Sequence, residues 1–96
     1  MKEQTVEMYL VRSVKKIGGK CYKFVSPGHN GAPDRICIFP RGLICFVETK
    51  APGKKPRTTQ LAFHRELARC GVPVWLIDTK EKVDIFIRGV RDGDVC

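Results

Sequence analysis

The sequence predicts an α/β fold of the α+β kind, a mixed central sheet flanked by helices, and three observations carry that expectation. Two nearly continuous apolar runs, "RICIF" (35–39) and "LICFVET" (43–49), are joined only by "PRG", which reads as a hairpin buried on both faces in mid-sheet. Ahead of them, "EQTVEMYLVRSVKKI" (3–17) carries Val6, Tyr9, Leu10, Val14 and Ile17 at helical spacing. Behind them, a segment with helix start and stop signals precedes another apolar run, "VPVWLID". Helices and strands that alternate in this way pack most simply as helices against a sheet.

Element by element, Gly18-Gly19 stops the first helix. "CYKFV" (21–25) alternates like a strand, and "SPGHNG" (26–31) is a loop by its Pro, Gly and Asn content. "KAPGKKPRT" (50–58) is a basic loop that Pro52, Gly53 and Pro56 keep out of any regular element. A second helix starts near Thr58 or Thr59 as N-cap and ends at Gly71. After "VPVWLID", the alternating "VDIFIR" (83–88) reads as a last strand with Val83, Ile85 and Ile87 on one face. The tail "GVRDGDVC" has no core pattern, and neither a repeat nor a low-complexity segment is present.

At 96 residues the chain suits one domain, residues 1–96. Met1 is followed by Lys2 and Glu3 and no apolar run reaches membrane-spanning length, which predicts an intracellular protein. Cys21, Cys37, Cys45, Cys70 and Cys96 are widely spaced without a CxxC pair, so they read as reduced core thiols, not as a zinc or disulfide framework. With 18 Lys and Arg against 10 Asp and Glu, the net charge is +8, and the excess is spread over both halves. A basic face and a polyanionic partner follow, nucleic acid first among them.

The candidate chemistry lies at the ends of the apolar hairpin. Asp34 precedes the first run, and Glu48 and Lys50 close the second, two residues apart and so on one face of a strand. A hairpin about "PRG" brings Asp34 and Glu48 to the same end of the paired strands. Carboxylates gathered there need compensation, since an unpaired buried charge is very costly. A hard divalent cation, Mg²⁺ or Mn²⁺, supplies it, held by one or two carboxylates, water and a substrate phosphate. Lys50 can then orient a water, help deprotonate it, or neutralise developing charge. Glu7 flanks the apolar stripe of the first helix, and Gln60 shares a helical face with Phe63, His64 and Leu67. Lys54, Lys55 and Arg57 in the basic loop, with Arg65 and Arg69 on the second helix, extend a surface for the phosphate backbone.

Taken in order, the Glu7 helix, "GAPDR", the fourteen-residue step from Asp34 to Glu48, "ETK" and "QLAFHREL" resemble the PD-(D/E)XK nuclease superfamily. More narrowly they resemble its virus-type replication-repair nuclease domain, VRR-NUC, over about residues 3 to 78. The resemblance implies a restriction-endonuclease-like αβββαβ core. It implies metal ligation by Asp34, Glu48 and the backbone carbonyl of Thr49, with Glu7 as a further acidic residue at the metal. Lys50 matches the catalytic lysine and Gln60 the glutamine that supports the site. Stand-alone viral members are homodimeric, structure-specific endonucleases on branched DNA such as four-way (Holliday) junctions, with roles in DNA repair and recombination. Cleavage leaves a 5′-phosphate and a 3′-hydroxyl.

Other readings are weaker. Taken alone, Glu7 fits equally well as a solvated helix position, Gln60 fits a site role better than a partly exposed first-turn position because of its inward face, and His64 reads as packed or solvated in place of a ligand role. "GHNG" around His29 suggests an HNH nuclease, but only two histidines are present. "APGKK" fails as a P-loop because Glu48 stands where the first glycine is required. A flap- or end-processing nuclease and a non-catalytic DNA-binding module with the same fold remain the alternatives.

Overall fold

The computed structural model describes residues 1–93. Its elements run α1 (Glu3–Lys16), β1 (Lys20–Lys23), β2 (Arg35–Phe39), a 3₁₀ turn (Pro40–Gly42), β3 (Leu43–Thr49), α2 (Thr58–Arg69), β4 (Val74–Ile77) and α3 (Lys80–Asp92). The sheet has the order β1-β2-β3-β4. β1, β2 and β3 pair antiparallel, while β3 and β4 pair parallel, with α2 in the crossover. It is therefore the mixed sheet that the sequence predicts.

α1 forms because Val6, Leu10 and Val14 fall one turn apart and are fully buried, each contributing about 1.5–3 kcal/mol of apolar burial. Glu3 in its first turn and Lys15 and Lys16 in its last complement the helix dipole. The inner sheet face presents Cys37, Phe39, Cys45, Val47 and Ile77 to these residues and to Val83 and Phe86. Trp75 and Phe39 both meet Phe86, with ring centroids 5.3 and 6.0 Å apart.

Two expectations are corrected. "VDIFIR" is not a strand but part of α3, which buries Val83, Phe86 and Ile87 at helical spacing. The Thr79 side chain caps it by accepting from the Lys82 N–H, and Gly93 ends it at φ 78° in the left-handed region. Tyr9 donates to Asp84 at 2.7 Å and so ties α3 to α1. The hairpin, moreover, is buried on one face only. On the other, Ile44 is 49% exposed, as is Leu76 of the neighbouring β4 at 40%, because among the described residues α2 covers only the Glu48 end of that face.

Cys21, Cys37 and Cys70 are free, as read, and Cys37 is buried and Cys21 half-buried, but Cys70 is exposed and so is not a core thiol. The reading also fails at Cys45, which is disulfide-bonded. Cys96 lies outside the described residues, as does the end of the tail. Among the described residues no helix is long and apolar enough to cross a membrane.

Candidate active site

The hairpin register places Arg35 opposite Val47, so Asp34 lies one step beyond, opposite Glu48. The inner face already holds Cys45 and Val47, and by alternation Glu48 points to the other face, where α2 lies. There it is 1% exposed. Gln60, 4% exposed, donates from Nε2 to Glu48 Oε2 at 3.0 Å and accepts at Oε1 from the Arg57 backbone N–H at 2.8 Å. One amide therefore closes the first turn of α2 and fixes the carboxylate, which also sets the amide's orientation.

The loop before β2 makes this contact possible. Gly31 sits at φ +90°, and a β-carbon there would stand 2.3 Å from the Thr59 carbonyl oxygen. Only glycine lets the loop lie this close to the start of α2. Asp34 is held in turn by Thr49, whose backbone N–H and Oγ1 both donate to Oδ2, at 3.0 and 3.1 Å. Lys50, whose side chain is 14% exposed, brings Nζ to 3.7 Å from Glu48 Oε2.

Burial, and then the neighbouring Asp34 carboxylate, push the Glu48 pKa up to about 8, against a smaller opposing pull from Lys50. Glu3, in the first turn of α1, adds to the same negative field. Among the described residues, Glu48 Oε1 is buried without a hydrogen-bond partner. A carboxylate with one orphaned oxygen, raised in pKa by its burial and then by a second carboxylate, is a site that a cation would stabilise. Among the described residues no three His, Cys, Asp or Glu side chains form a ready metal cage. A hard cation held by two carboxylates, a carbonyl and water requires none.

The remaining candidates fall in different places. Glu7 accepts from Arg35 Nε at 2.9 Å in a half-buried ion pair between α1 and β2, so its carboxylate is occupied by a cation of the chain itself. Lys54, Lys55 and Arg57 are exposed in the basic loop. That loop is anchored where the Gly53 N–H donates to Asp78 at 3.1 Å. Arg65 is exposed on α2, and Arg69 pairs with Glu66. His64, read above as packed or solvated, is packed, with its side chain 14% exposed, and it brings Nε2 to 3.6 Å from Glu48 Oε1. Burial, followed by Lys50, holds its pKa below the usual histidine value, while Asp34 opposes that shift. The helical turn between Gln60 and His64 puts both on the sheet-facing side of α2, but it does not name Glu48 as the partner of His64.

A mixed sheet with two carboxylates and a lysine at one end of its central hairpin has the layout of a nuclease. No protein-family model matches the sequence. A solved structure described as a VRR_NUC domain superposes with a TM-score of 0.85 at 35% identity, covering 92% of this chain and 96% of the other. A phage protein, "Putative nuclease p44" of Acyrthosiphon pisum secondary endosymbiont phage 1, is 48% identical over 86 residues, 90% of this chain and 92% of its own length. The chain is a nuclease domain. It belongs to the VRR-NUC family.

Proposed function

We propose that the protein is a divalent-metal-dependent DNA endonuclease that acts as a homodimer on branched DNA such as four-way junctions. The observation that carries this reading is the buried Glu48 carboxylate. It is clamped by Gln60 on one oxygen, orphaned on the other, and flanked by Asp34 and Lys50. Asp34, Glu48 and the Thr49 carbonyl would hold Mg²⁺ or Mn²⁺. When bound, the cation supplies Lewis-acid charge to the scissile phosphate and acidity to a water.

The chain's own residues do the rest. Gln60 fixes the rotamer of Glu48, and Thr49 fixes that of Asp34, so both carboxylates are set before substrate arrives. Lys50 Nζ, beside Glu48, orients the attacking water and takes up or offsets charge at the phosphate. Lys54, Lys55 and Arg57 hold the backbone on either side of the scissile bond. The Arg35–Glu7 pair steadies α1 against β2, with Glu7 a supporting residue and not a metal ligand.

Two strands cut across a junction call for two sites, and one chain offers one. The open sheet face beside the site, with Tyr22, Ile44 and Leu76 exposed, suits a second copy, since contiguous apolar surface of this kind marks interfaces. Residues 83–88 do not supply such a surface through Val83, Phe86 and Ile87, which α3 buries in the chain's own core. The test is cleavage of labelled duplex, flap, single-stranded and four-way-junction DNA, with light scattering on the parent and Ile44→Glu proteins. Paired nicks in the junction by a dimeric parent, and a monomer of reduced junction activity for Ile44→Glu, are expected. A monomeric parent that prefers flaps or ends contradicts the reading.

A further inference from the structure

Helix α2 carries Gln60 and His64 four residues apart, so both lie on its sheet-facing side. Gln60 takes Oε2 of Glu48, and His64 faces Oε1. The His64 side chain is 14% exposed, and its Nε2 stands 3.6 Å from Oε1. That is too long for a hydrogen bond, and among the described residues each of the two atoms is buried without a hydrogen-bond partner. An imidazole nitrogen and a carboxylate oxygen attract one another, but at this separation neither gains a full hydrogen bond, and both keep capacity for a further partner between them.

The gap suits an ion. A cation about 2.1 Å from each ligand spans such a gap at an angle of about 118°, near tetrahedral, and an octahedral ion would draw the pair to about 3.0 Å. Asp34 is close enough to act electrostatically on both Glu48 and His64, so it borders the same space. We propose that His64 is a nitrogen ligand to the cation bound at Glu48, which makes the site prefer Mn²⁺ and later transition ions to Mg²⁺. The preference follows from ligand type: imidazole suits borderline transition metals, whereas Mg²⁺ takes oxygen and gives up water reluctantly. The proposal rests on the metal-dependent reading above and specifies the ligand set and the ion.

Pulsed electron paramagnetic resonance of the protein loaded with one equivalent of Mn²⁺, without DNA, tests it independently of cleavage. A nitrogen directly coordinated to Mn²⁺ is expected in the parent and in His29→Ala, and is absent in His64→Ile. By calorimetry, His64→Ile and His64→Gln should each weaken Mn²⁺ binding about tenfold or more while Mg²⁺ affinity stays within about threefold, since Mg²⁺ binding does not use the nitrogen. The parent spectrum decides without any variant. Mn²⁺ bound with no coordinated nitrogen overturns the role of His64 and leaves the nuclease reading standing. A nitrogen signal that survives His64→Ile overturns it as well. No Mn²⁺ binding at all overturns both this inference and the metal-dependent reading.

Discussion

Replacing Gln60 by leucine probes the joint between helix α2 and the site. The amide makes two hydrogen bonds, one to the buried Glu48 carboxyl and one from the Arg57 N–H that opens the helix. Leucine keeps the volume and removes both. A hydrogen bond to an ionisable group contributes about 1.5–3 kcal/mol, and a helix N-terminal cap about 0.5–2 kcal/mol. Some overlap between the two, and some compensation from apolar leucine, leaves a loss of about 2–4 kcal/mol. For a chain of this size that lowers Tm by on the order of 10 °C or more. Urea unfolding in EDTA measures it without any contribution from metal. Cleavage should fall too, because Glu48 would then keep only Lys50, at 3.7 Å, to hold its Oε2. A variant within about 0.5 kcal/mol of the parent, as for an ordinary surface residue, and with full activity would refute this account of Gln60.

The pH dependence of stability follows from Glu48. Its folded-state pKa, near 8, lies above the ordinary carboxyl value of 4.5, so the folded chain binds the extra proton between those values. Metal-free protein should therefore be most favoured by this group below pH 4.5 and lose that contribution as pH rises to about 8, while Glu48→Gln flattens this part of the profile in pH-dependent urea unfolding. Gly31→Ala forces a β-carbon onto the Thr59 carbonyl in a left-handed backbone and should cost about 2 kcal/mol or more, measured by thermal unfolding. Thr79→Ala removes the N-cap of α3 and should cost about 1 kcal/mol in the same assay, a loss that a strand end would not show.

The sequence was legible where one force acted alone. β2 and β3 were found to the residue, because continuous apolar runs bounded by Asp34, Pro40 and Lys50 admit no other element. α3 was missed because Val83, Ile85 and Ile87 alternate by two while Val83, Phe86 and Ile87 also follow the helical period. The Thr79 cap and Gly93 stop decide in favour of the helix, and a strand reading gives those two residues no weight. Burial of the hairpin on both faces was misread for a related reason: apolar Ile44 looks like a core residue in the sequence, although it is 49% exposed and among the described residues no element covers it. Asp34, Glu48, Lys50 and Gln60 were placed together correctly because strand register and helix face are both periodic. The partners of Glu7 and His64 were not legible. Each depends on which side chain of another element lies opposite, and no local period records that.

The most direct test of the central claim is cleavage of labelled four-way-junction and duplex DNA by the parent and by Lys50→Ala, each with Mg²⁺, Mn²⁺ or EDTA. The account predicts cutting by the parent that requires metal and is nearly abolished in Lys50→Ala, while the variant binds Mn²⁺ and unfolds like the parent. Equal cutting by Lys50→Ala, or cutting that persists in EDTA, would contradict it.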